Sequence, residues 1–373
     1  HLKGLSREER KALTDIPIEV DLTALRYHDF DGFGVHLPGL LATTRGTIIA
    51  TCQQRHNSMA DAGNQVDILI SRSEDDGRTW QRQETLFSEE NANTYLGPIF
   101  EDRMTGTVFV SYWKIPAEVL NDLDYFGEYA SKGGGFWLIK SNDQGRNWSD
   151  PHYLKPAPNE DGWVGWPNNC VHGIQLGLGP RQGRLLIPAF LYKEGEPGQV
   201  PGVRGGLLYS DDHGESWQAG AVLPAGSDEV GVVETAPGDL YVSYRKNTQA
   251  TGKRHFARST DHGATFCEHG QHQEIPDSGL HAGLIRHHGD QNENILLFSN
   301  PNPSREMTIR MSRDHGRSWP TAQRLEPSLS RYSDLAMTAD KTVLCLYTNG
   351  VARDREKISV ARFNLEWLTT EHT

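Results

Sequence analysis

The sequence predicts an all-β fold, a six-bladed β-propeller with four-stranded antiparallel blades, and three observations carry the prediction. The first is a recurring box, Ser-x-Asp-x-Gly-x-x-Trp. It occurs as SEDDGRTW from Ser73, SNDQGRNW from Ser141, SDDHGESW from Ser210 and SRDHGRSW from Ser312, with a fifth copy, STDHGATF, from Ser259. The second is a pair of short runs rich in Val, Ile, Leu, Tyr and Phe ahead of each box, bounded by Gly, Asn and Asp. The third is the near absence of helical periodicity.

Box starts at 73, 141, 210, 259 and 312 are too unevenly spaced for a solenoid, but they suit small sheets that carry insertions in their loops. Within the box, Asp or Ser side chains accept backbone N–H groups, Gly takes the positive-φ position and Trp packs under the sheet, which makes it a hairpin turn. A calcium loop needs oxygens at alternating positions and a Glu at the twelfth, and the copies do not keep that set, so Asp75 is given no metal-binding or catalytic role.

Taken in order, GTIIATCQQ and VDILISRS precede the first box, GTVFVSYW and GFWLIKS the second, and GRLLIPAFLY and GGLLYS the third. GDLYVSYR with RHFARS and NILLFSN with MTIRMS lead into the remaining two. YSDLAMTADKTVLCLYTNG and KISVARFNLEWL supply strands for a sixth sheet, and IPIEVDL near the start is expected to give the strand that closes the ring. Residues 1–16 form a lead segment, with a short helix at SREERKALTDI capped by Ser6, and residues 17–373 form one propeller domain.

At 373 residues the chain is long enough for a sizeable core, and a formal charge of −12 argues against nucleic acid or an anionic membrane surface as partner. No apolar run approaches the length of a membrane span, and the polar opening has no signal-peptide core. The chain begins at His1 rather than Met, so removal of a leader and a secreted or periplasmic location are expected. Cys52, Cys170, Cys267 and Cys345 are scattered, and buried free thiols are expected in preference to disulfides.

With the boxes assigned to outer turns, function belongs at the opposite strand ends, around the central channel. Here the ordered set VHLPGLLATTRGTIIA, RHNSMADAGNQVD, DEVGVVETAPGDLYVSYRKN, LLFSNPNPSREMTIR, RYSDL and FNLEWL, together with the boxes, resembles the bacterial and animal sialidases, glycoside hydrolases of six-bladed propeller fold. The resemblance runs from about residue 30 to residue 368. It implies Asp61 as acid/base, Tyr332 as nucleophile and Glu229 as its partner, with Glu234 a nearby decoy. Arg245 and Arg305 fall on the family's second and third carboxylate-binding arginines, Arg310 being a competitor that better suits a blade surface. Arg55, in the stretch that carries Asp61, joins the substrate-binding set.

At the first arginine the sequence departs from the family and has His36-Leu37-Pro38. A neutral imidazole offers one hydrogen bond and carries charge only when protonated. Leu96 stands where relatives carry a pocket aspartate, and both changes are expected to line the sugar pocket. Trp137, Trp163, Trp166 and His172 are candidate platforms for an aglycone or glycerol tail, with packing between blades the equal alternative.

These residue types suit one chemistry. In an α-ketoside of a 2-keto acid the anomeric carbon bears a carboxylate, which would repel an anionic nucleophile, whereas tyrosine becomes nucleophilic only as a base takes its proton. The resemblance therefore implies a retaining exo-α-glycosidase acting on sialic acid or on Kdo- or Kdn-like acids, with no cofactor and no metal. Its partners would be sialylated or other ulosonic-acid-bearing glycans. The alternative is a lectin-like propeller that binds acidic sugars without turnover.

Overall fold

The structure is a computed structural model, and it describes residues 23–25, 34–56, 66–89, 92–116, 135–168, 171–193, 203–246, 252–277, 279–289, 293–302, 305–351 and 354–370. The expected N-terminal helix, the IPIEVDL strand, Asp61 and Cys170 lie outside the described residues. Among the described residues secondary structure is almost entirely strand.

After β1 (Thr23–Leu25), the first antiparallel sheet holds β2 (Val35–Ala42), β3 (Ile48–Arg55), β4 (Val66–Ser73) and β5 (Glu84–Ser88). The second holds β6 (Ala92–Asp102), β7 (Thr107–Pro116), β8 (Gly135–Ser141) and β9 (His152–Leu154). β10 (Trp163–Pro167), β11 (Ile174–Gln175), β12 (Leu185–Lys193), β13 (Arg204–Ser210) and β14 (Gln218–Val222) form the third. The fourth holds β15 (Ser227–Ala236), β16 (Asp239–Lys246), β17 (Lys253–Ser259) and β18 (Glu268–Pro276).

The last sheet has seven strands: β19 (Gly283–His288), β20 (Asn294–Asn302), β21 (Arg305–Ser312), β22 (Thr321–Met337), β23 (Val343–Gly350), β24 (Lys357–Phe363) and, at its edge, β1. Within it the 17-residue β22 pairs with β21 over Thr321 to Leu329 and with β23 over Leu329 to Met337. Strand β1 pairs antiparallel with β24, so the chain start does complete the last sheet, but with Thr23–Leu25, directly after the segment expected to do so. The FNLEWL end of the expected final strand is instead a helical turn, α1 (Leu365–Thr369), capped by Asn364, whose side chain accepts from the Trp367 N–H.

The sheets close a ring. Strand β2 packs against β6 and β22, β6 against β11, β12 against β15, β15 against β19, and β19 against β22. Apolar side chains fill the spaces between neighbouring sheets: Ile49, Ile68 and Ile70 meet Leu96, Val108 and Val110, and Leu186 and Leu207 meet Val230 and Val242. A comparable layer, Ile295, Leu297 and Ile309 against Leu335, Val343 and Phe363, lies between the two halves of the seven-stranded sheet.

Every box falls at the turn leaving the third strand of its four-strand unit, after β4, β8, β13, β17 and β21. In each, the Ser hydroxyl bonds the box Asp and receives the Gly N–H, as Ser312 does with Asp314 and Gly316. The Gly and the residue before it both have positive φ, as in His315 at 59° and Gly316 at 77°. Sequence reasoning assigned that conformation to Gly alone; the preceding Asp, Gln or His tolerates it because the tight turn demands two such residues in succession.

Among the cysteines, Cys52 and Cys345 are buried free thiols as expected, but Cys267 is exposed.

Candidate active site

Strand polarity puts the site opposite the boxes. A first strand begins, and a second strand ends, at the rim away from the box turn. His36 lies at the start of β2, Arg55 ends β3, Glu229 lies at the start of β15, and Arg245 lies near the end of β16. Tyr332 sits in β22 where pairing to β23 begins.

The Tyr332 ring is buried, and its hydroxyl meets two groups. Arg245 Nη1 donates to Tyr332 Oη at 3.3 Å, and the Glu229 carboxylate is hydrogen-bonded to the same side chain. The β15–β16 hairpin fixes that pairing, because a register shift between Ser227 and Val230 brings Glu229 beside Arg245, with Nε 3.2 Å from Oε2. Arg245 is otherwise held by Asp228 at 2.7 Å and the Gly279 carbonyl at 2.6 Å, so its plane is fixed before any ligand arrives.

Glu229 is 2% exposed. Burial pushes its carboxyl up to about 8, against the pull of the Arg245 and Arg254 guanidiniums and the Tyr332 hydrogen bond, with the Asp228 charge adding to the rise. A carboxyl so placed has the basicity to take a proton near neutral pH. Glu234 is remote from this arrangement: it accepts the Gly177 N–H at 2.7 Å and pairs across β15–β16 at the other end of the hairpin.

His36 stands edge-on to Tyr332, with ring centroids 4.4 Å apart and planes at 87°. A bulge between His36 and Gly39 and a left-handed Leu37, φ 52°, bring both His36 and Leu37 onto Tyr332, although consecutive strand residues normally face opposite ways. Burial and then the charges of Arg55, Arg355, Arg331 and Arg245 hold the imidazole well below its usual range, so His36 is neutral here. A charged imidazolium as replacement for an arginine is therefore disfavoured by its surroundings.

Other expected site residues fall differently. Arg305 is exposed at the start of β21, and no described residue pairs with its guanidinium. Arg310, expected on a blade surface, is instead buried, its Nη2 donating to Asn302 at 2.7 Å and its pKa pushed down to about 10 by burial. Leu96, expected to line the pocket, is fully buried among Ile68, Ile99 and Tyr112, because β6 packs against the first sheet.

The aromatic candidates are packing groups. Trp166 lies in a pile with Trp113 and Tyr192, at centroid separations of 5.9 and 5.0 Å. Trp163 is covered by Lys193 and Arg204, and Trp137 lies between Tyr112 and Tyr153. His172 bonds the fully buried Asp334 at 2.8 Å; burial lowers its pKa, but the Asp334 charge outweighs this and holds it above the usual value.

Three residues near the site escaped sequence reasoning. His281 is fully buried, stacks on Tyr332 at 6.5 Å, and has no hydrogen-bond partner on either ring nitrogen among the described residues. Arg331 lies over the Tyr332 ring at 5.9 Å, and Arg355 is one of the charges acting on His36. Adjacency to Tyr332 could have flagged Arg331; nothing local marks the other two.

The fold and its repeated turns define a β-propeller built from Asp-box sheets, with a Tyr–Glu–Arg cluster on its box-free rim. The chain belongs to the BNR repeat-like domain family, whose model matches residues 46–345, and it is a member of the sialidase superfamily. It is 30% identical over 371 residues to a sialidase of Micromonospora viridifaciens, spanning 91% of this chain and 53% of that protein. A sialidase of Bacteroides fragilis is 27% identical, over 94% of this chain and 68% of the relative. Among solved structures, the Hadza microbial sialidase Hz136 superposes with a TM-score of 0.79 at 25% identity, covering 93% of this chain and 69% of that one. The chain thus spans only about half the length of the first of these relatives.

Proposed function

We propose that this chain is a retaining exo-α-glycosidase that hydrolyses terminal α-ketosides of a 2-keto-3-deoxy sugar acid. The observation that carries the reading is the Tyr332 hydroxyl held between the Glu229 carboxylate and the Arg245 guanidinium. Relatives described as sialidases support the same class of reaction.

In this reading Tyr332 Oη attacks the anomeric carbon as its proton passes to Glu229, and the carbon–oxygen bond to the aglycone breaks. Asp61, placed by its motif and outside the described residues, gives its proton to the departing oxygen. Water then attacks the tyrosyl glycoside while Asp61 takes its proton, Tyr332 leaves with the proton from Glu229, and two inversions leave the configuration retained. Arg245 receives the anomeric carboxylate through paired charged hydrogen bonds, exchanging part of its hold on Asp228 for the substrate.

Sialylated glycans are the leading substrate class, with Kdn and Kdo ketosides sharing the anomeric carboxylate. The reading also takes the seven-stranded sheet as two blades joined through β22, six in all. What supports this is the apolar layer between its halves and the change of pairing partner at Leu329.

The test is turnover of fluorogenic ketosides of N-acetylneuraminic acid, Kdn and Kdo. At least one is expected to be cleaved, with kcat falling about 10²–10⁴-fold in Tyr332→Phe. If the intact protein cleaved none faster than the variant, the hydrolase reading would be lost. Sugar-acid binding without turnover would favour the lectin-like alternative.

A further inference from the structure

His36 is buried, and burial followed by the neighbouring guanidiniums holds its imidazole well below the usual range, which disfavours a charge at that position. Cationic groups nevertheless surround it. Four guanidiniums, Arg55, Arg355, Arg331 and Arg245, act on the imidazole. Among the described residues, the carboxylates paired with them are Asp228 and Glu229 on Arg245, and Asp354 shared between Arg331 and Arg355. Glu229 holds its proton near neutrality, so among the described residues Arg245, Arg331 and Arg355 share two further carboxylates, Asp228 and Asp354.

Geometry singles out Arg355. Asp354 Oδ2 is 3.2 Å from Arg331 Nη1 and Asp354 Oδ1 is 3.5 Å from Arg355 Nε, so one carboxylate grips Arg355 by its inner nitrogen. Both terminal nitrogens are then without a partner among the described residues, and the side chain is 20% exposed. Its backbone is pressed against the lead-in to β2: a Cβ on Gly34 would sit 1.9 Å from the Arg355 carbonyl oxygen. Gly34 therefore permits the Asp354–Arg355 turn to reach the rim two residues before His36. A guanidinium braced through Nε, with no described partner on its fork and near enough to Tyr332 for the two to act on each other, is suited to a planar anion.

We propose that Arg355 binds the substrate's anomeric carboxylate beside Arg245, supplying from the β23–β24 connection the charge that position 36 lacks. Arg331 and Asp354 position it. The inference rests on the ketoside-hydrolase reading for the identity of the anion, and the experiment separates the two.

Binding of the free acids N-acetylneuraminic acid, Kdn and Kdo is measured by calorimetry on the intact chain, Arg355→Gln, Arg355→Lys and His36→Arg/Arg355→Gln, with thermal melts to show that each folds. For any acid bound by the intact chain, Arg355→Gln is expected to weaken binding about 30-fold or more. Arg355→Lys should retain a larger share, and the double variant should recover about tenfold over Arg355→Gln, because an arginine at position 36 approaches the same carboxylate from β2. Binding by Arg355→Gln within threefold of the intact chain, no recovery in the double variant, or no binding of any acid would overturn the proposal. Arg355-dependent binding with no ketoside turnover would keep this inference and remove the hydrolase reading. Turnover lost in Tyr332→Phe, with binding indifferent to Arg355, would do the reverse.

Discussion

At the scale of single residues, the proposed reading joins a weak nucleophile, Tyr332, to a base, Glu229, whose basicity is made by burial. Glu229 is buried with Asp228 beside it, and both influences keep its proton on, while Arg245 and Arg254 oppose them. Because the folded pKa lies above the ordinary value of about 4.3, the ionised form that accepts the Tyr332 proton appears only as pH rises toward about 8. The ascending limb of kcat/KM against pH is therefore expected well above the usual carboxylate range. A limb near pH 4 would contradict it. That Tyr332, Glu229 and Arg245 would lie together was an expectation of the resemblance, which rested on RYSDL for Tyr332 and on the separation of Glu229 from Arg245 in DEVGVVETAPGDLYVSYRKN. His281 and Arg355 were not legible in sequence, since their proximity to Tyr332 depends on where the β18–β19 and β23–β24 connections cross the rim.

Elements explain the regularity of the scaffold. Each box Asp accepts hydrogen bonds from its own turn: Asp314 takes them from the Ser312 and Ser318 hydroxyls and the Arg317 and Ser318 N–H groups. Burial raises the Asp314 pKa, but those bonds outweigh it and hold the group at about 2. A carboxylate with a depressed folded pKa adds stability that is fully present above its unfolded value of about 3.9 and is lost as pH falls toward the folded one. Asp314→Ala is thus expected to lower unfolding free energy by about 1–3 kcal/mol at pH 7, with the deficit shrinking between about pH 4 and pH 2 and kcat unchanged. Denaturant melts across that range check it, and a deficit constant down to pH 2 would show that the charge is not what the turn uses. The boxes and most strands were readable because turn chemistry and short runs of Val, Ile, Leu, Tyr and Phe bounded by turn residues are local signals. The single long β22 was not, because a strand serving two sheet halves looks in sequence like two strands with a polar break.

For the whole molecule, net charge and site charge have opposite signs. A chain of formal charge −12 repels anions at long range, so an acidic sugar must be recognised by a local group of arginines. The ring provides that place by bringing β2, β3, β15, β16 and β22 to one rim and all five boxes to the other. Sequence reasoning reached this division from the boxes alone, but it misplaced Leu96 and Arg310 and left the tryptophans open between sugar platform and packing. Whether a side chain in a propeller faces the channel or the next sheet depends on packing between sheets distant in sequence, as with Leu96 against Ile68.

The central claim is that Tyr332 becomes covalently glycosylated during turnover. It is tested most directly by mass spectrometry of peptides after brief exposure to a ketoside fluorinated beside the anomeric carbon, which slows release of the intermediate. The peptide containing Tyr332 should gain the mass of one fluorinated sugar acid, and the gain should be absent in Tyr332→Phe. An adduct on another residue, or its persistence in Tyr332→Phe, would contradict the account.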